Sequence, residues 1–150
     1  MIAKDIRGLA AELKTTGRHI TIETAGTVFA PVACDLMSIS PKLANSTPDD
    51  PRWNRQHERL RIQLPVLSEL MARYAHQLKF VIARPDDMEE VRALVGALQA
   101  DTGNVILMPE GVDPAILQER GQWLAEVCKE EGYRFSPRLH VDLWGARRGV

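Results

Sequence analysis

Apolar residues recur along this chain in two rhythms: helical spacing over long stretches, and dense runs bounded by turn residues. Residues 2–15 put Ile2, Ile6, Leu9, Ala10 and Leu13 on one helical face, with Gly17 placed to cap it. Residues 19–24, His-Ile-Thr-Ile-Glu-Thr, alternate as a strand, and residues 35–39 form a second after an apolar run from Val32. Residues 42–59 are polar and rich in Asn, Ser, Pro and Asp, which predicts a long loop. A helix follows over 60–74, its first turns interrupted by Pro65. Residues 77–83 predict a third strand. A helix over 85–100 is opened by Pro85, with Asp86, Asp87, Glu89 and Glu90 near its positive end. Residues 104–108 predict a fourth strand, 114–131 a helix opened by Pro114, and 139–143 a short final strand.

Helix alternating with strand defines the class: α/β, with mainly parallel strands and flanking helices. An open Rossmann-like sheet and part of a barrel both satisfy the pattern. At 150 residues the chain reads as a single domain over 1–150, and 45% hydrophobic residues suffice for a core. The net charge of −1 supplies no global basic field, so no nucleic-acid partner is expected. No apolar run approaches the ~20 residues of a membrane span, so no membrane partner is expected. The start, Met-Ile-Ala-Lys-Asp, does not read as a signal peptide. Two cysteines, Cys34 and Cys128, lie in apolar contexts and read as inert buried thiols of a reducing compartment, the cytoplasm. The four histidines show no metal-ligand spacing.

Candidate chemistry sits where strands end. The first strand closes on Thr24, Ala25, Gly26 and Thr27, and the second on Ser40, Pro41 and Lys42, so one ligand could lie across both carboxyl ends. Thr24 offers a hydroxyl, Gly26 close backbone approach, and Lys42 a mobile charge for a carboxylate. The fourth strand closes on Met108, Pro109, Glu110 and Gly111, whose backbone could read a base edge. Each has a plainer reading as a turn, and Lys42 as an exposed surface lysine. Glu23 points away from Thr24 and is expected to pair with a helix residue. Asn45, Ser46 and Thr47 line the same loop as Lys42. Trp123 faces the core at helical spacing, whereas Trp53 sits in the polar loop.

HITIETAGTVF, CDLMSISPKLANSTP, NVILMPEG and the closing RLHVDLWGARRGV resemble the C-terminal half of 7-carboxy-7-deazaguanine synthases, a radical S-adenosylmethionine family. SISPK followed by WG…RGV is the more specific part. The resemblance selects part of an incomplete (β/α) barrel of the radical SAM type with its first two strands absent, which would leave strand 19–24 an uncovered edge. It places Gly26, Ser40, Pro41, Lys42, Met108, Pro109, Glu110 and Gly111 against S-adenosylmethionine. It places Thr24 and the terminal carboxylate of Val150 against the pterin substrate, 6-carboxy-5,6,7,8-tetrahydropterin.

In the family that substrate undergoes ring contraction to 7-carboxy-7-deazaguanine, a step towards queuosine and other 7-deazapurines. The chemistry uses a 4Fe-4S cluster and Mg2+ as well as S-adenosylmethionine. The three-cysteine cluster motif and the Gly-Gly-Glu-Pro segment of the family do not occur here, and two cysteines cannot supply three thiolates. The resemblance therefore implies a portion inactive alone and active only with a separate cluster-bearing half; that half, or a homodimer, could cover the exposed edge. The alternatives are a non-catalytic remnant or small-molecule-binding module, and an unrelated nucleotide-binding α/β domain.

Overall fold

Among the described residues, five short strands lie side by side in chain order, every neighbouring pair parallel. They are β1 (Thr21–Thr24), β2 (Leu36–Ile39), β3 (His76–Ile82), β4 (Val105–Pro109) and β5 (Arg134–Phe135). The computed structural model describes residues 6–147. Between the strands run α1 (Ile6–Thr15), α2 (Pro51–Leu60), α3 (Leu64–Arg73), α4 (Asp87–Leu98), α5 (Pro114–Glu131) and α6 (Leu139–Trp144). The α/β class and the parallel sheet expected from the sequence are therefore present, consistent with part of a radical SAM-type barrel.

The sheet has one covered face. In β3, Leu78, Phe80 and Ile82 are fully buried, while Gln77, Lys79 and Val81 point to the other side, as strand alternation requires. The register carries this division across the sheet: Ile39 stands beside Leu78, and Leu78 beside Val105. On that side α3 packs on β2, α4 on β3 and α5 on β4. Leu67, Leu70, Met88, Val91, Leu94 and Leu124 fill the space between helices and sheet. Each such side chain taken from water contributes about 1.5–3 kcal/mol, so this layer holds the fold. Trp123 packs against its edge, as expected.

The helix predicted over 2–15 begins, among the described residues, at Ile6; Ile2 lies outside them. Its Ala10 is buried, but Leu9 and Leu13 are exposed. The segment 42–59 is not a loop. It holds one 3-10 turn, Ala44–Ser46, and then α2. Asp50 caps α2 by accepting from the Arg52 N–H, and Pro51 sits in the first turn, where no donor is needed. None of its residues is buried, and two large apolar side chains, Trp53 and Leu60, are too few to reveal it by periodicity. Pro65 likewise does not interrupt a helix; it lies in the first turn of α3.

The strand predicted over 139–143 is helix α6, and the last strand is instead the two-residue β5. Six residues alternating Leu-His-Val-Asp-Leu-Trp fit either period. The helix turns Val141 into the interior and leaves Leu139 and Leu143 outside. Strand β1 forms one edge of the sheet among the described residues, where the sequence expects it.

Candidate functional site

The other face of the sheet carries Glu23, Ser38, Gln77 and Lys79 beside the apolar Val81, Ile106 and Met108. Register places Glu23 beside Ser38 and Ser38 beside Gln77, with Lys79 two residues further along β3. At the carboxyl ends of β1 to β4 this face opens into a cavity of about 350 Å³, lined among others by Thr24, Ser38, Ser40, Lys42, Lys79 and Met108. Arg138, the residue before α6, also lines it. A second cavity of about 480 Å³ adjoins it and shares Ser40, Lys42 and Val81. Pro41, Asn45, Ser46 and Glu110 line that second space.

Thr24 and Ser40 are held together by the backbone: the Ser40 N–H donates to the Thr24 carbonyl at 2.7 Å. The Thr24 hydroxyl accepts from the Gly26 N–H at 3.1 Å and so fixes the turn that ends β1. Gly26 has φ +71° and faces the core: a β-carbon there would overlap Leu67. Its small size is thus explained by packing. Pro41 is buried and Lys42 exposed, with the Lys42 carbonyl accepting from Arg61 Nη1 at 3.1 Å.

Asn45 is a structural tie. Its amide donates to the Val81 carbonyl at 3.0 Å and to the buried Asp87 carboxylate at 2.7 Å. Asp87 also accepts from the N–H groups of Ala83 and Arg84, so three donors converge on one carboxylate oxygen. Ser46 and Thr47 touch the two ring nitrogens of His57 at 3.4 and 3.3 Å. Thr47 also donates to Glu58, whose carboxyl is held below its ordinary range by that hydroxyl and by Arg61.

On β4, Met108 turns its side chain into the first cavity, and Pro109 turns to the core. The Glu110 N–H donates to the Ile82 carbonyl at 2.8 Å, and its carboxylate pairs with Arg120. Gly111 is buried with φ +138°. Thr24, Ser40, Lys42 and Met108 are therefore brought to one cavity, Pro41 and Glu110 to its neighbour. Gly26, Pro109 and Gly111 line neither. Val150 lies outside the described residues.

Three further residues line the cavity: Ser38 and Arg138, which lie within the SISPK and RLHVDLWGARRGV motifs but take no role from the resemblance, and Lys79, which lies in neither. The signal for Lys79 is its place in Gln-Leu-Lys-Phe-Val-Ile, where a charged residue alternates with fully buried ones. Glu23 pairs not with a helix but with Lys79, two strands away, at 3.2 Å.

Neither cysteine is poised as a ligand. Burial raises the Cys34 thiol, helped by the charge of Asp35. Burial pushes Cys128 up to about 11, and its thiol donates to the Arg134 carbonyl at 3.6 Å. Among the described residues no three His, Cys, Asp or Glu side chains gather to hold a metal ion. The donor set of this chain does not fit a cluster.

A parallel sheet with helices packed on one face and a cavity at the carboxyl ends of its strands is the architecture of an α/β portion of barrel type. Relatives make the class particular. The chain is 41% identical over 149 residues to the 7-carboxy-7-deazaguanine synthase of Halobacterium salinarum, an alignment covering 91% of this chain and 58% of that protein. It is 37% identical over 154 residues to the enzyme of that name from Rhodopirellula baltica, covering 100% of this chain and 60% of the relative. The corresponding protein of Pyrobaculum aerophilum is 29% identical over 154 residues, with 97% and 61% covered. No protein-family model matches the chain. The chain thus matches a portion of 7-carboxy-7-deazaguanine synthases, as its motifs imply, and spans about three fifths of these relatives' length.

Proposed function

We propose that this chain is the S-adenosylmethionine- and pterin-binding portion of a 7-carboxy-7-deazaguanine synthase. The observation that carries the reading is the meeting of Thr24, Ser40, Lys42 and Met108 at one polar cavity in a chain 41% identical to such an enzyme. The reaction is the ring contraction of 6-carboxy-5,6,7,8-tetrahydropterin with loss of ammonia. S-adenosylmethionine supplies the radical chemistry in this family, together with a 4Fe-4S cluster and Mg2+ whose ligands are not in this chain. No step is assigned to the cluster here, because two raised-pKa thiols cannot hold it.

The roles left to this chain are binding and orientation. Ser40 offers a hydroxyl to a ribose, and Lys42 reaches both cavities as a flexible cation suited to a carboxylate. Met108 gives one wall an adaptable apolar surface for a purine or sulfonium group. Thr24 stands at the edge of the cavity for the pterin, and the Val150 carboxylate is proposed as its second contact. Gly26, Pro109 and Gly111 support the walls that carry these groups. Two free thiols favour a reducing, cytoplasmic setting. A separate cluster-bearing chain, or a second copy, would cover the edge at β1.

Calorimetry tests the reading. The untagged chain should bind S-adenosylmethionine or 6-carboxytetrahydropterin, and Lys42→Ala should weaken binding roughly tenfold, the effect of about 1.4 kcal/mol. Absence of binding to both, from a chain with a cooperative thermal transition, would overturn it. A non-catalytic binding module is the second reading, favoured by the absence of a three-cysteine cluster motif from the sequence. It predicts binding that persists with no turnover when a cluster-bearing partner is added.

A further inference from the structure

The open face of the sheet carries more cation than its neighbours neutralise. The chain as a whole has a net charge of −1, yet Lys42, Lys79 and Arg138 line one cavity against the single carboxylate of Glu23. Glu23 is 73% exposed and Lys79 only 21%, so the anion of this pair stands in solvent while the cation points inward. Such a pair is weak, and Lys79 can turn to a stronger partner.

Arg138 is the sharper case. Its Nε is buried and has no hydrogen-bond partner, and among the described residues its guanidinium makes no ion pair. A buried N–H left unpaired costs free energy, and native proteins rarely keep one without use. Ser38 stands in the same cavity, 1% exposed. Its hydroxyl accepts from Gln77 Nε2 at 3.0 Å, which leaves its own proton to donate. A planar guanidinium, an ammonium and a hydroxyl proton form a donor set complementary to a carboxylate.

We propose that Arg138, supported by Lys79 and Ser38, forms a carboxylate recess that makes this cavity select ligands bearing that group. The inference deepens the function proposed above and rests on it. Two carboxylates could fill the recess: the amino-acid carboxylate of an S-adenosylmethionine-like ligand, or a carboxylate on a pterin ring.

The test is titration calorimetry on the full chain with two matched pairs: S-adenosylmethionine against its decarboxylated analogue, and 6-carboxypterin against pterin. Wild-type protein should prefer the carboxylated member of one pair by roughly tenfold or more, and that pair identifies the source. Arg138→Gln should erase the preference and leave affinity for the decarboxylated member unchanged. Lys79→Gln should reduce the preference, and Arg138→Lys should restore it in part. Without ligand, Arg138→Gln should melt at or above the wild type, since it removes an unpaired buried donor.

Binding without preference in either pair, or preference unchanged in Arg138→Gln, overturns the recess and leaves the proposed function standing. Failure of all four ligands to bind overturns both. A melting temperature lower by more than about 4 °C in Arg138→Gln assigns the residue to structure and also overturns the recess.

Discussion

Gly26 and Leu67 compete for one volume. A β-carbon at position 26 would overlap Cδ2 of Leu67 and come to 3.0 Å from Cγ2 of Ile39, at a residue whose φ is +71°. Gly26→Ala should therefore destabilise the fold by about 2–4 kcal/mol, combining overpacking with a strained left-handed backbone. Leu67→Ala alone should cost about 2–5 kcal/mol. The double variant should lose less than the sum, because truncating Leu67 opens the space that the added methyl group requires. Denaturant unfolding of the four proteins measures the coupling. Strict additivity would refute the shared volume.

Asp87 fastens three segments with one carboxylate oxygen, drawing donors from Asn45, Ala83 and Arg84. Asp87→Ala leaves those N–H groups without their acceptor and should cost about 2–4 kcal/mol. Asn45→Ala removes one donor and should cost about 1–2 kcal/mol, mainly by loosening the turn beyond Lys42. Thermal unfolding gives the ranking. Asn45→Ala should in addition weaken ligand affinity more than its stability loss explains, since it releases the loop that carries Lys42.

Acid should act partly through Asp35. Its carboxyl is held below the ordinary 3.8 by the Lys14 ammonium and by the Ile20 N–H, which donates at 2.8 Å. A depressed folded value means that the native state favours the ionised form. The contribution is fully present above the unfolded value of 3.8 and is lost as pH falls through the lower folded value. Melting temperatures between about pH 5 and pH 2 should fall less steeply in Asp35→Asn than in the wild type. Equal slopes would show that the bond to Lys14 does not persist in solution.

Four of the strands are legible in the sequence, β1 by its alternation and β2 to β4 as apolar runs between turn residues, with β3 and β4 within a residue or so of their expected bounds; the two-residue β5, exposed at both positions, is not. Helix α2 is not, because its two large apolar side chains, Trp53 and Leu60, remain exposed and its start is set by Asp50 and Pro51. Helix α6 reads as a strand because six alternating residues suit both periods. Thr24, Ser40 and Lys42 can be chosen from strand ends alone. Lys79 and Arg138 cannot, since their meeting at one cavity depends on which face of β3 points away from the core and on where the chain leads after β5.

Helix α2 also sets how the region beside the cavity responds to its surroundings. It buries no side chain and is held by charge: Arg61, just past its end, reaches Glu58, Glu90 and the Lys42 carbonyl. Contacts of this kind weaken as ionic strength rises, whereas the apolar layer beneath the sheet does not. The amides of residues 51–60 should thus exchange with solvent through a local opening whose free energy follows salt concentration, while those of β3 and β4 await global unfolding. One short helix would report the electrostatic state of the protein independently of its overall stability.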